Sequence, residues 1–446
     1  MPSRPPRALG ARAALVALVS LFTAGYLAPY LLPTVVGRLS AGLGLGATQA
    51  GLVGSILLLG SASAGFTLAA HGERIGPRRA ARLGLAAMAV GYGTSATTDA
   101  VLTVVAGAVV GGFGSGTATA VAAAGIAGRP DPHRASALGL LAVSATAGAL
   151  YLTLPHLGGG HALPFAAIAG TALLVWPVTA WLPGEAPVAR EAAVAGPLPQ
   201  RSAGTVLACG ILLWSMAQNA LWGVSGRIGL TQAGLSEVTL GVVFAAALGA
   251  GLMGVVVAGA LGSRLGRAVP IGAGTALIAG CVLLSSASEG PVSFATGEIL
   301  WNAAYPVVLS YLLGLAASLD PRGRWAVMVG SASSLGVACG PVTGSVLSEA
   351  AGYRGMGLTL CVLLLLVAVP MTAVARHVSG RPLVPGSIRR RGGAPAAVLA
   401  ATTATPPSLL PQLGAPEQEV TEIRVPASRR RAARSAFRLA RPTDRG

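Results

Sequence analysis

Lysine is absent from the 446 residues of this sequence, and charge of either sign is scarce. Only 10% of the residues are charged, whereas 53% are hydrophobic and the mean hydropathy is +0.70. Soluble domains carry about a quarter charged residues, which they need to cover a globular surface. This composition therefore excludes an ordinary soluble protein and indicates that lipid surrounds most of the chain.

Aromatic residues are also few, at 4%, while glycine is abundant, with 63 residues. Small residues allow membrane helices to pack closely against each other. The net charge of +17 arises from 31 arginines against 14 acidic residues. A nucleic-acid-binding protein would need a basic face on a soluble domain, and the sequence shows none. We interpret the excess of arginine as a topology signal, because cytoplasmic loops of membrane proteins are basic.

Cysteine is rare and scattered. Cys209, Cys281, Cys339 and Cys361 lie far apart within apolar segments, and their spacing fits neither a disulfide framework nor a metal site. The sequence also lacks a GxSxG element, a Walker loop and an HExxH motif. These absences predict a protein that is not an enzyme, holds no cofactor or metal, and is not driven directly by ATP.

Long apolar segments recur along the chain, and a helix that crosses a membrane needs about 20 mainly apolar residues. We predict twelve such spans, numbered in chain order: 13–36, 48–70, 80–98, 100–127, 136–157, 162–182, 204–226, 237–261, 268–288, 292–316, 326–347 and 354–375. Only the sequence TTDA divides spans 3 and 4, so a count of eleven stays open. The predicted fold class is an all-α integral membrane protein with twelve transmembrane helices.

The placement of arginine orients these spans. If residues 1–12 are cytoplasmic, most loop arginines are cytoplasmic too, and the outer loops hold only Arg38, Arg227 and Arg354. This asymmetry predicts a multi-pass protein of the plasma membrane with both termini in the cytoplasm.

The segments outside the spans divide the chain. Residues 183–203 are rich in Pro and Ala, which predicts a cytoplasmic linker between one bundle at 13–182 and another at 204–376. Residues 377–446 are rich in Pro, Arg and Ala, which predicts a basic, disordered cytoplasmic tail.

The two predicted bundles resemble each other at an offset of 190 residues, where AAHGERIGPR at 69–78 aligns with GALGSRLGRA at 259–268. The paired positions include Arg74 with Arg264 and Gly76 with Gly266. Repeated six-helix halves with the substrate site between them are a common plan of transporters. The sequence therefore predicts two pseudo-symmetric six-helix bundles.

The repeated loop resembles the loop between helices 2 and 3 of the major facilitator superfamily, and the resemblance covers roughly residues 13–376. The family pattern is Gly-x-x-x-Asp-Arg-x-Gly-Arg-Lys. The first loop matches it in kind at Glu73, Arg74, Gly76 and Arg78, with Ala69 for the leading Gly and Pro77 for the next Arg. The second loop keeps Gly259, Arg264, Gly266 and Arg267, with Ser263 in place of the acid.

The resemblance implies that the first loop acts in gating. In the family the acid lies against the start of helix 11, and a helix N-terminus favours an acid. For this sequence the resemblance implies that Glu73 lies beside span 11. It also implies that Arg74 and Arg78 pair with acids or carbonyl groups across the halves. These contacts would close the cytoplasmic side in one state and open in the other.

A second resemblance lies on span 11. The sequence GVACGPVTG at 336–344 matches the Gly-x-x-x-Gly-Pro-x-x-Gly motif that drug and metabolite antiporters of the family carry on helix 5. The alternative is a packing motif, in which Gly336, Gly340 and Gly344 form one small-residue stripe and Pro341 kinks the helix.

The family resemblance implies that spans 1, 4, 7 and 10 line a central cavity. Ionisable groups within spans are functional candidates because their burial is costly, and Glu298 on span 10 is the clearest. We expect this carboxyl to take up and release a proton, since an apolar cavity favours its neutral form; the alternative is a solvated carboxylate. The other candidates at similar depth are Asn302, Gln218, Asn219, Tyr26, Tyr30, Trp214, Trp222 and Trp301.

These patterns predict a secondary transporter that moves a small amphipathic organic molecule by alternating access. The antiporter resemblance favours export in exchange for protons, with import by proton symport and a non-transporting receptor as alternatives. The expected partners are the small-molecule substrate, protons and the lipid bilayer. We expect no nucleic acid and a monomeric protein.

Overall fold

The computed structural model describes residues 6–158, 160–182, 197–262, 265–320 and 323–379. The side chains of residues 6–9, 66, 68–74 and 379 lie outside this description. Within the described ranges the chain forms helices and short connections, without a strand. Most of the predicted linker and nearly all of the predicted tail fall outside these ranges.

The helices follow the predicted spans closely. Span 1 comprises two helices, Pro6–Tyr30 and Leu32–Leu43. Spans 2 to 10 are Ala47–Ile75, Pro77–Ala96, Val101–Ala127, Pro132–Thr153, Ala162–Val175, Arg201–Arg227, Glu237–Leu261, Ala268–Ser286 and Pro291–Leu319. Spans 11 and 12 lie within one segment, Arg324–Ser379.

The count of twelve is confirmed. Ten described helical segments are long and apolar enough to cross a membrane. One of them, Arg324–Ser379, contains both span 11 and span 12. Gly352 separates these two spans, because its φ of 67° and ψ of 174° are not helical. Span 3 is not among the ten because it begins with the arginine-rich sequence PRRAAR. A helix end at Ala96 and a new start at Val101 separate spans 3 and 4 and exclude the alternative of eleven.

Span 1 is longer than predicted. After Leu31 a second helix continues to Leu43, and Gly44 with φ 63° caps it. Arg38, which we expected in an outer loop, lies inside this helix and is only 8% exposed. The apolar face of the helix, with Leu32, Val35, Val36 and Leu39, packs into the core and carries the arginine with it.

The connections lie at two ends of the bundle, which we call the Arg38 side and the Arg78 side. Gly76 on the Arg78 side precedes span 3 with φ 75°, and Gly266 precedes span 9 on the same side with φ 66°. Residues with a side chain are strained in this region, whereas glycine is not. The two glycines occupy equivalent places in the sequence repeat, so the backbone repeats there as well.

Glycine also sets the spacing between spans. A Cβ atom on Gly336 would overlap the carbonyl oxygen of Leu212, and one on Gly344 would overlap that of Ala220. Both contacts join span 11 to span 7 within the second half. Gly241 on span 8 approaches the carbonyl oxygen of Tyr151 on span 5 in the same way and joins the two halves.

Candidate functional site

A cavity of about 190 Å³ lies between the two halves. Its walls come from both halves, with Tyr26 and Tyr30 on span 1 facing the cavity together with residues of spans 7 and 10. The cavity extends toward the Arg78 side as far as Gly65 on span 2 and Val255 on span 8. Val255 is six residues from the end of its helix, a distance of about 9 Å along the axis.

Aromatic side chains form the second-half wall of the cavity. The ring of Trp301 lies 5.6 Å from Trp222 and 6.3 Å from Tyr305, measured between ring centroids. Tyr305 also stacks on Trp214 at 5.2 Å. Such tilted and stacked pairs fix the ring planes relative to each other. The cavity therefore presents a rigid aromatic surface.

The indole N–H groups of the two tryptophans that line the cavity are already used. Trp301 Nε1 donates to Gln218 Oε1 at 2.8 Å, which joins span 10 to span 7. Trp222 Nε1 donates to the carbonyl oxygen of Pro29 at 3.2 Å, which joins span 7 to span 1. The indoles therefore offer ring faces to a ligand, and other groups must supply the hydrogen bonds.

Amide and hydroxyl groups supply the polarity of the cavity. Asn219 and Asn302 line it from the second half, and Ser61, Thr119 and Ser144 line it from the first half. None of the described lining residues carries a charge. An uncharged wall of this kind suits an uncharged ligand, because a buried ion without a partner is strongly disfavoured.

Glu298 lies behind the cavity wall and is fully buried. Ser225 Oγ on span 7 donates to Glu298 Oε1 at 2.9 Å. Glu298 Oε2 and the hydroxyl of Ser285 on span 9 are buried without hydrogen-bond partners among the described residues. Within the same part of the chain, Glu298 forms no ion pair. A buried carboxyl without a cation is best accommodated in its neutral form.

The structure divides the nine predicted cavity residues into two layers. Six of them line the cavity: Tyr26, Tyr30, Asn219, Trp222, Trp301 and Asn302. The other three, Gln218, Trp214 and Glu298, are fully buried and lie outside the lining.

The sequence analysis missed Tyr305. It follows Trp301 by four residues and so lies on the same face of span 10. That spacing could have identified it.

The two halves meet on the Arg38 side. Arg38 of span 1 forms an ion pair with Glu237 of span 8, with 3.1 Å between Nη2 and Oε2. The same guanidinium donates to the carbonyl oxygens of Leu154 at 3.2 Å and Gly158 at 2.8 Å. One buried arginine thus holds span 1, the end of span 5 and the start of span 8 together.

A second carboxylate joins the halves nearby. Glu349, at the end of span 11, accepts a hydrogen bond from the backbone N–H of Thr48 at 2.9 Å and another from its hydroxyl group. Thr48 is in the first turn of span 2, where backbone N–H groups lack partners within the helix. In addition, Val342 N donates to Ser55 Oγ at 3.0 Å. Contacts between the halves therefore close the Arg38 side.

The predicted gating loops lie on the Arg78 side. Arg78 Nε donates to the carbonyl oxygen of Leu182 at 3.0 Å. Leu182 ends the first half, so this contact lies within one half. The helix geometry explains it, because Arg78 is in the first turn of span 3, beside the end of span 6. The expected contact across the halves belongs to the state in which the Arg78 side is closed, and it stays a prediction. The side chains of Glu73 and Arg74 lie outside the described residues.

The second gating loop is described only in part. Arg267 Nη1 donates to the hydroxyl of Ser318 at the end of span 10. A Cβ atom on Gly259 would meet no other atom within 4 Å, so packing does not require a glycine there. Ser263 and Arg264 lie outside the described residues.

The span 11 motif lies at a packing contact. Gly340 approaches the backbone at Asn219, and a Cβ atom added to Gly223 of span 7 or to Gly54 of span 2 would meet Pro341. These close approaches are what the packing interpretation expects from a small-residue stripe.

The chain is similar to known proteins in its sequence and in its structure. Residues 13–322 match the sequence profile of the Major Facilitator Superfamily. A mutant of the nucleoside transporter NupG has a similar structure, with a TM-score of 0.66 and 14% identity, covering 81% of this chain and 99% of its own. The human organic anion transporter MFSD10 (TETRAN) is similar with a TM-score of 0.60 and 20% identity, covering 82% and 100%. A comparison with curated proteins by sequence gives no match.

Proposed function

Since the chain belongs to the Major Facilitator Superfamily of secondary transporters, we propose that it exports a small, uncharged, amphipathic organic solute in exchange for protons. The observation that carries the proposal is the cavity between the halves, with aromatic faces, amide groups and no charge among its described lining residues. Substrate sites of transporters built from two repeats lie at such an interface.

Alternating access supplies the mechanism. The Arg38 side is closed by Arg38–Glu237 and Thr48–Glu349, and the cavity extends toward the other side. If the Arg78 side is cytoplasmic, as the arginine placement predicts, this state takes up solute from the cytoplasm of the cell. Export then requires both contacts on the Arg38 side to break while the Arg78 side closes.

Glu298 is the proposed proton carrier. Its carboxyl is buried, and among the described residues one of its oxygens has no hydrogen-bond partner. Asn302 follows Glu298 on span 10 and its Nδ2 donates to the backbone carbonyl oxygen of Glu298 at 3.0 Å, so Glu298 is one helical turn from a residue that lines the cavity. Exposure of this carboxyl in the opposite state would allow it to release its proton or take one up.

The substrate class is inferred from the uncharged lining of the same cavity. NupG is a nucleoside transporter and MFSD10 an organic anion transporter. Their sequence identity to this chain is low, so the similarity concerns the fold alone. An organic anion would require a cation, which the described cavity wall does not offer. An uncharged solute requires none.

The test uses the full chain in proteoliposomes of known orientation that contain a trapped pH indicator. Radiolabelled uncharged, cationic and anionic aromatic solutes are supplied with and without an imposed pH gradient. We expect solute movement against its gradient, away from the Arg78 face, coupled to opposite proton movement. Proton and solute movement in the same direction would make the protein a symporter, and no flux of any solute would contradict transport.

A further inference from the structure

Asparagine occurs only twice in the 446 residues, as Asn219 on span 7 and Asn302 on span 10. Both line the central cavity. One residue earlier, Trp301 Nε1 donates to Gln218 Oε1 and joins the two spans. Spans 7 and 10 run in opposite directions, and each asparagine is next in sequence to a member of this pair, so the two amides lie within about one helical turn of each other in depth on neighbouring helices.

Each amide is held in a fixed orientation by its own helix. Asn219 Nδ2 donates to the carbonyl oxygen of Ser215 at 2.9 Å, and Asn302 Nδ2 donates to that of Glu298 at 3.0 Å. One N–H of each amide is used in this way. The second N–H and Oδ1 have no partner in the described part of the chain, and neither Oδ1 is a buried unpaired atom. Each amide therefore offers the cavity a donor beside an acceptor.

The aromatic side chains beside the two amides limit the class of ligand that can bind there. The indole N–H groups of the two lining tryptophans, Trp301 and Trp222, are occupied by Gln218 and by Pro29. The faces of Trp301, Trp222 and Tyr305 remain for contact with a planar ring. A ligand that fits must combine an uncharged ring with an edge that both donates and accepts a hydrogen bond.

We propose that Asn219 and Asn302 determine specificity by binding the amide-type edge of an uncharged aromatic or heteroaromatic solute, in which an N–H lies beside a C=O or ring nitrogen. The amide of asparagine can form two hydrogen bonds with such an edge, as it does with adenine in DNA recognition. This assignment rests on the proposed transport function, because it names the substrate class of the same cavity.

The test measures binding and needs no transport. Purified full-length protein in detergent is titrated with benzamide, N,N-dimethylbenzamide and benzoate, and saturation-transfer NMR reports contact of each probe. The two amides have the same ring and no charge, but only benzamide has N–H donors. We expect benzamide to bind about tenfold more tightly than its dimethyl analogue, the effect of about one lost hydrogen bond, and benzoate to bind no better than that analogue.

Substitutions of the two asparagines test whether these residues cause the preference for benzamide. Asn219→Leu and Asn302→Leu should each reduce the preference for benzamide, whereas Thr153→Val, a loss of one exposed polar group outside the cavity, should leave it unchanged. Asn302→Ser provides a smaller polar replacement if the leucine variants fail to fold. Equal binding of the two amides by the unmodified protein, or no binding of either, would overturn the assignment. Transport of another solute could still be measured in that case, so the two proposals fail separately.

Discussion

Arg38 of the first half and Glu237 of the second half form an ion pair at the end of the bundle where the halves meet, with 3.1 Å between Nη2 and Oε2. The arginine side chain is 9% exposed and the carboxylate is 49% exposed. The arginine also donates to carbonyl oxygens of Leu154 and Gly158. A side chain with this many partners contributes more to closure than a surface pair, whose contribution is up to about 1 kcal/mol.

Weakening this contact should open the Arg38 side. We expect Glu237→Gln to shift the population toward the open state by about twofold to fivefold. Arg38→Leu should shift it by about tenfold or more, because several acceptors then lose their donor. Spin labels at the exposed positions 157 and 230, in a cysteine-free protein, would report the change as a longer interspin distance.

A matched ion pair provides the control for this measurement. Arg354 and Glu289 pair at the same end of the bundle but within the second half, so Arg354→Leu should leave the distance unchanged. An unchanged distance distribution in Arg38→Leu would show that this arginine does not hold the halves together.

Glu298→Gln should uncouple transport from the pH gradient. Glutamine has nearly the same shape but cannot carry a proton, so we expect solute exchange between equal concentrations to continue while uphill movement driven by pH is lost. Flux measured in proteoliposomes across a series of imposed pH gradients checks this result. Glu289→Gln, which changes an exposed acid in a connection, serves as control; a Glu298→Gln protein with normal pH-driven accumulation would refute the role.

Glu73→Ala should slow transport without preventing membrane insertion. The family resemblance implies that this acid stabilises the closed Arg78 side, so its loss should reduce the fraction of the outward-facing state. Insertion is followed by the amount of protein in the membrane and transport by initial flux. Asp99→Ala, at an exposed turn on the Arg38 side, should be silent. A normal rate in Glu73→Ala would reduce this loop to a topology signal.

Gly344→Val distinguishes packing from a direct transport role for the span 11 motif. A side chain at Gly344 overlaps the carbonyl oxygen of Ala220 on span 7, and overpacking of this kind costs about 1–3 kcal/mol. We expect a lower melting temperature in detergent. Gly280→Val, at an exposed site with no atom within 4 Å of the added Cβ, should melt normally. Unchanged stability in Gly344→Val together with lost transport would instead favour the motif as part of the transport machinery.

The candidate site could be predicted in part. The sequence placed Tyr26, Asn219 and Asn302 on cavity-lining spans because the family resemblance specifies those spans. It did not distinguish Asn219, which lines the cavity, from its neighbour Gln218, which is buried behind Trp301. Adjacent residues on a helix point about 100° apart, so the packing of neighbouring spans decides which of them faces the cavity.

The sequence by itself determined the class of protein, the twelve spans and the repeat. These features depend on local properties, since hydropathy over about 20 residues specifies a span and glycines such as Gly76 and Gly266 specify a turn.

Only the tertiary structure decided which distant residues meet. Arg38 and Glu237 are 199 residues apart in the chain, and Arg38 was expected in an outer loop. Their pairing arises because the second helix of span 1 continues into the contact between the halves. Contacts of this kind depend on how two bundles dock, and no local pattern in either segment encodes that arrangement.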